Sequence, residues 1–311
     1  MTNLLFISAQ PYDFKFTWQI DVQCWNFKNL GILDKYKILV WYPDDKTDLS
    51  EWKRLQKKYS EAEFLFFKDE GVDLQTYIPQ LRPHILKRWF RQHKEILKDK
   101  VFFYLDSDVI FRELPDFNTL LQDDVCWQSN TSSYLDYRYL KSKEVQGNIP
   151  EHEVLDKLAE IGGITIDVIK SYETKTGGAQ YILKNIDWIF WEDVERTCIQ
   201  IRKYLMQEIN TKYFPNENAG FQSWCADMWA VNFALWKRNL KTDIHKELEF
   251  TWASDRNETW FQNKIYHDAG AGAKGMFIKS SWNNVSPVGK NISVLKSFAN
   301  WHYVEFIKTV K

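Results

Sequence analysis

Short apolar runs alternate with amphipathic stretches over the first third of the chain. Leu4 to Ser8 is an apolar run of strand length, followed by the irregular Ala9-Gln-Pro-Tyr and then by an amphipathic stretch from Trp18 to Leu30 that stops at Gly31. Lys37 to Tyr42 predicts a second strand ending at Pro43-Asp-Asp, Leu49 to Tyr59 a helix, and Glu63 to Phe67 a third strand. Pro83 opens a helix over Pro83 to Leu97, with Ile85, Leu86, Trp89 and Phe90 on one face, and that helix leads into the apolar run Val101-Phe-Phe-Tyr-Leu. Alternation of this kind predicts an α/β fold with a mostly parallel, Rossmann-like central sheet flanked by helices.

After Phe111 the pattern loosens. Residues 129–175 are polar, with a break at Asn148-Ile-Pro and a short helix near Glu151 to Ile161, and read as an insertion over a site. Order returns at Gly177-Gly-Ala-Gln-Tyr-Ile-Leu, a strand, followed by a long helix from about Trp188 to Ile209. A loop from Tyr213 to Gly220 precedes a helix over Phe221 to Trp236, and a late strand, Lys264 to His267, runs into a glycine-rich turn. No internal repeat or low-complexity linker marks a boundary. The expectation is one domain over residues 1–285, with the insertion at about 129–175, and a C-terminal extension at 286–311 that packs on it.

Composition narrows the classes. A chain of 311 residues with 44% hydrophobic content can bury a large core. The formal net charge is -1, from 41 Lys+Arg against 42 Asp+Glu, so no global basic field holds a polyanion. The basic, aromatic-bearing stretches Arg82 to Lys100 and Trp236 to Lys246 read as solvated helix faces rather than a nucleic-acid surface. Met1-Thr-Asn-Leu-Leu-Phe-Ile-Ser has no basic region ahead of a long apolar stretch, and no window approaches the roughly 18 apolar residues of a membrane span. A cytoplasmic protein is expected. Cys24, Cys126, Cys198 and Cys225 are scattered in apolar neighbourhoods, which predicts reduced core thiols. The 15 Trp and 15 Tyr offer faces for sugar rings or bases, but their apolar settings assign most of them to packing.

Chemistry enters at Asp106 and Asp108. Two carboxylates one residue apart, at the C-terminal end of a buried strand, repel unless a cation joins them, and ligands collect beyond the carboxyl ends of strands in open α/β sheets. His267, at the end of the late strand, would complete a two-carboxylate, one-imidazole set that favours Mn²⁺ or Mg²⁺ over Zn²⁺. It stands directly before Asp268-Ala-Gly-Ala-Gly-Ala-Lys-Gly, where Gly270 allows close approach to a ligand and Lys274 could meet phosphate. Asp227 falls on the apolar stripe of its helix with Trp224, Met228, Val231 and Leu235, so it is either a hydrogen-bonded cap or an active-site carboxylate. Gly177 and Gly178 are a strand entry or a backbone surface for a sugar, with Gln180 as a sugar contact. Trp18 and Gln19 open the first helix, where a base or ribose binds in such sheets; packing is the alternative.

Five segments then fall in a familiar order: Tyr12 through Gln19 (Tyr-x5-Trp-Gln), Arg82-Pro83 before an aromatic-rich helix, Leu105-Asp-Ser-Asp-Val-Ile, Trp224-Cys-Ala-Asp-Met-Trp-Ala, and Tyr266-His. The chain resembles the plant hydroxyproline O-arabinosyltransferases and peptidyl-serine O-galactosyltransferases, which have a GT-A type fold and an Asp-x-Asp motif. The Asp-x-Asp, a glycine-containing strand, an acidic helix and a late His-x-x-Gly also look like the glycogenin-like retaining transferases. The resemblance implies that Asp106 and Asp108 bind metal and donor, that His267 is the third protein ligand, and that the donor is a nucleoside-diphosphate sugar, UDP-linked by preference. It implies that Asp227 occupies the acidic position of a Trp-x-x-Glu-Met helix, here one methylene shorter, and that transfer proceeds to a hydroxyl with retention. The missing anchor argues against a secretory-pathway acceptor and leaves protein, glycan and hydroxymethylated base open. Two other readings compete: a metal-dependent nucleotide-sugar hydrolase or phosphotransferase, and a non-catalytic carbohydrate-binding protein.

Overall fold

The computed structural model describes residues 3–69, 72, 77–216 and 219–311. Its strands are β1 (Leu4–Pro11), β2 (Tyr36–Tyr42), β3 (Glu63–Lys68), β4 (Val101–Leu105), β5 (Val109–Phe111), β6 (Cys126–Asn130), β7 (Gly177–Leu183), β8 (Thr242–Ile244), β9 (Phe250–Trp252) and β10 (Ile265–His267). Seven of them form a sheet in the order β3-β2-β1-β4-β7-β6-β8, and β5-β10-β9 form a second. Pairing is parallel for β1–β2, β2–β3 and β6–β8 and antiparallel for β6–β7. The α/β architecture, a central sheet flanked by helices, is therefore the one the alternating pattern predicts.

The chain divides into two compact units, residues 1–71, 103–120 and 246–311 in one and 72–102 and 121–245 in the other. In the first, parallel β1 and β2 are buried on both faces, as a strand covered by helices must be. Phe6 meets Phe27, Phe103 and Phe117 at ring-centroid distances of 5.4, 5.6 and 5.5 Å. A second cluster gathers Trp18, Val22, Ile110, Tyr266 and Phe277 around Tyr303, Val304 and Ile307 of the helix Asn300–Ile307.

The helix Phe14–Asn29 buries nearly its whole circumference, rather than the single face expected of an amphipathic stretch from Trp18 to Leu30. Its buried polar side chains at positions 19, 23 and 26 keep i, i+4, i+7 spacing and form one stripe that bonds residues 106–111, while Gln23 Oε1 also accepts from the Tyr36 hydroxyl.

In the second unit the expected polar insertion is largely helical, over Tyr137–Gln146, Glu153–Gly162 and Ile166–Ser171. The long helix Trp188–Lys203 starts at Asp187, whose side chain accepts from the Phe190 amide, and continues through Tyr204–Asn210 with the wider π-type winding. Of the expected loop at 213–220, residues 217 and 218 lie outside the described residues. The helix Ala226–Lys237 follows a single 3-10 turn, Ser223–Cys225. All four cysteines are free. No helix among the described residues is long and apolar enough to cross a membrane.

Candidate metal centre

All the groups of the candidate centre belong to the first unit. β4 ends at Leu105 and the chain turns through Asp106-Ser-Asp into β5, which leaves the large sheet and pairs antiparallel with β10. The register sets His267 opposite Val109, and the ladder continues with the Asp268 amide donating to the Asp108 carbonyl at 3.0 Å. The imidazole is thereby carried to the acidic turn. His267 Nε2 lies 3.2 Å from Asp108 Oδ1 and 3.7 Å from Asp106 Oδ2. Ligand atoms of the three side chains all lie within 4.8 Å of one another. Two oxygen or nitrogen ligands across one ion with bonds of about 2.2 Å stand at most about 4.4 Å apart, a span that both imidazole–carboxylate distances respect, and the donor set suits a small hard cation.

The turn is held from beneath by the polar stripe. Ser107 Oγ donates to Gln19 Oε1 at 2.6 Å. Gln23 Nε2 donates to the carbonyls of Asp106 and Val109 at 2.9 and 2.7 Å, and Asn26 exchanges two 2.8 Å bonds with the backbone of Phe111. On the other side, parallel pairing of β10 with β9 puts Trp252 beside His267, and the rings stack with 11° between planes.

A cation is built into the site. Lys279, in the short 3-10 segment Lys279–Trp282, pairs with Asp108 Oδ2 and donates to the Asp268 carbonyl at 2.7 Å. Burial alone would raise the Asp108 carboxyl, but the Lys279 ammonium and the His267 imidazole outweigh it and hold the group well below the ordinary carboxylate range. Asp268, fully buried and accepting from the Tyr266 hydroxyl at 2.9 Å, is pushed by burial up to about 6.

The remaining sequence-predicted residues have definite places. Trp18 is buried, with its ring edge-on to Phe277 and Nε1 donating to the Trp282 carbonyl at 2.9 Å, so it packs the core. Gln19 supports the acidic turn. Gly270 has φ of 76°, a conformation that favours glycine, while the nearest atom to an added Cβ would be 3.4 Å away. Lys274 is exposed, and Lys279 is the lysine that reaches the carboxylates.

Asp227, Gly177, Gly178 and Gln180 belong to the second unit. A Cβ at Gly177 would lie 2.1 Å from the Ser129 backbone carbonyl, so that glycine is demanded by close packing, while one at Gly178 would meet the movable end of Met228 at 2.2 Å. Gln180 is buried and accepts from Ser129 Oγ at 2.5 Å. Between them Ala179 has a left-handed φ of 68° where the β6–β7 register shifts. Asp227, in the first turn of its helix, is 8% exposed; its Oδ1 accepts from the Tyr77 hydroxyl at 3.0 Å, and Arg82 approaches to 3.6 Å.

No family model and no curated protein matches the chain. Solved structures to which it is similar include glycosyltransferases. The apo structure of the bifunctional glycosyltransferase WbbM is 12% identical with a TM-score of 0.47, over 99% of this chain and 50% of that one; this chain thus spans about half the length of WbbM. The galactosyltransferase LgtC, in complex with donor and acceptor sugar analogs, is 9% identical over 98% of this chain and 96% of that one, with a TM-score of 0.45. The Mn/GDP form of core-mannan synthase A (CmsA/Ktr4) from Aspergillus fumigatus is 11% identical over 79% and 72%, with a TM-score of 0.34.

Proposed function

We propose that the chain is a metal-dependent glycosyltransferase of GT-A type that moves a sugar from a nucleoside-diphosphate sugar, by preference a UDP-sugar, to a hydroxyl acceptor with retention. The observation that carries the reading is the convergence of Asp106, Asp108 and His267 at the carboxyl end of β4, with ligand atoms spaced for one ion. A bound Mn²⁺ or Mg²⁺ would supply charge to a departing diphosphate. Asp106, the most exposed of the three at 21%, faces the donor, while Asp108 and His267, at 9% and 8%, form the buried wall. Lys279, already beside Asp108, is the group placed to hold a second anionic oxygen; Lys274 reaches phosphate only from the exposed part of its loop. Asp227, pinned by Tyr77 and Arg82, is proposed to orient the acceptor or the sugar.

The proposed transferase domain is residues 1–285, with 129–175 as its insertion and 286–311 as its extension. Burial of Tyr303, Val304 and Ile307 in the core cluster supports the packing of that extension. Free cysteines fit a reducing, cytoplasmic setting.

Thermal unfolding with Mn²⁺ and a panel of nucleotide sugars tests the reading. Wild-type protein should gain stability with Mn²⁺ and gain more with the correct donor. Asp106→Ala and His267→Ala should abolish both gains. An equal Mn²⁺ response in the wild type and in both variants would remove the centre, and with it the proposed function. Acceptor screening by mass spectrometry then separates transfer from hydrolysis of the donor.

A further inference from the structure

In the second unit a cavity of about 450 Å³ is lined by Tyr77, Gln80, Ile199, Arg202, Met206 and Gln207, with Lys203 and Thr211 at its edge. Residues 199, 202, 203, 206 and 207 keep i, i+3, i+4, i+7, i+8 spacing, so one helix face builds a wall where the winding widens to π type at Tyr204–Asn210. The volume lies in the range of small-molecule sites.

Its described lining is basic. Arg202 and Lys203 line the cavity, and no carboxylate does among the described residues. Arg202 donates to Ser223 Oγ and lies over the rings of Tyr77 and Trp224, at 5.7 and 5.9 Å from their centroids, with no carboxylate partner among the described residues. A guanidinium fixed by one hydroxyl and two aromatic rings has most of its side-chain entropy already spent, and its remaining N–H groups suit a planar or tetrahedral oxyanion. Around it the wall alternates apolar surface (Ile199, Met206, the Tyr77 ring) with amide and hydroxyl groups (Gln80, Gln207, Thr211). That mixture matches a pyranose, which has apolar C–H faces and a rim of hydroxyls.

We infer that this cavity is a binding site for a single sugar ring carrying an anionic group, a uronate or a sugar phosphate, with Arg202 gripping the anion. The inference goes beyond the transfer reading and stands without it. Occupancy would also be felt at Asp227, because the Tyr77 ring forms part of the wall while its hydroxyl holds that carboxylate.

Saturation-transfer NMR and calorimetry on the full chain in EDTA, with glucuronate, glucose 6-phosphate, glucose and inorganic phosphate as probes, test it. Because no divalent ion is present, a metal centre that fails to bind Mn²⁺ leaves this result untouched. Glucuronate, glucose 6-phosphate or both should bind at least about tenfold more tightly than glucose, as expected of one charge-assisted contact. Arg202→Gln should remove that advantage. Gln207→Trp, on an exposed position of the wall, should block the cavity with the fold intact, which keeps the test decisive if Arg202→Gln unfolds. Equal binding of glucose and glucuronate, inorganic phosphate binding as tightly as glucose 6-phosphate, binding unchanged in both variants, or no binding of any probe would each overturn the inference.

Discussion

Asp108 is the most constrained side chain of the centre, because its two oxygens are already divided between His267 and Lys279. Any metal taken up there must compete with an ammonium for Oδ2. Lys279→Met should therefore bind Mn²⁺ more tightly than the wild type in calorimetry. In EDTA the same variant should be less stable by about 2 kcal/mol, since a mostly buried carboxylate loses its partner, with the half-exposed lysine limiting the loss. Mn²⁺ should close that gap, and a variant that instead binds Mn²⁺ more weakly would show that Lys279 supports the ion rather than displacing it. This lysine was not legible in the sequence. Residues 268–299 have no hydrophobic period to place a side chain, and proximity to glycines pointed to Lys274 instead. Asp106, Asp108 and His267 were legible because each borders a short apolar run, where burial on one side and chemistry on the other leave few residue types possible.

At the level of elements, the helix Phe14–Asn29 carries more of the site than its pattern announced. Its apolar residues predicted a helix, yet the stripe of Gln19, Gln23 and Asn26 passed unnoticed because a helix buried all round has no contrasting face. Three amide side chains at helical spacing, with Ile20, Val22, Cys24 and Trp25 between them, were the available signal. Gln23→Leu leaves two carbonyls under the acidic turn without a donor and should cost about 2 kcal/mol in urea unfolding. It should also weaken Mn²⁺ binding, which a packing role alone would not do. The helix Asn300–Ile307 is bound to the same unit by burial. Tyr303→Ala, removing a fully buried ring that stacks on Tyr266, should cost about 3 to 5 kcal/mol. The alternation of strands and helices up to β4 was readable, as was the helix Glu153–Gly162, whereas Tyr137–Gln146 and Ile166–Ser171 were hidden by their polar composition.

For the whole molecule, acid stability follows from buried carboxylates held by cations. Burial by itself would raise Glu195, but hydrogen bonds from His84 at 2.8 Å and from Lys87 outweigh it and hold the group below its usual range. Asp193 is likewise held low, against the effect of burial, by Arg238 and Lys237. A carboxyl depressed in the folded state binds its proton more readily when unfolded. Its contribution is therefore present above the unfolded value of about 4.3 for glutamate and is lost as pH falls through the folded value. Urea midpoints measured from pH 6 downward should fall with acidification in the wild type. Glu195→Gln should begin less stable at neutral pH and show a shallower fall, and parallel curves for the two proteins would contradict this account.

One consequence concerns tolerance of length rather than of composition. Side chains alternate between the faces of a strand, and His267 reaches the acids only because it sits across from Val109 in a three-residue ladder. Ile265 can vary in kind so long as it stays apolar, whereas Tyr266 also supplies its hydroxyl to Asp268. A single residue gained or lost between Lys264 and His267 would turn the imidazole to the opposite side of β10, so natural variants of this protein should differ here by substitution and never by insertion or deletion.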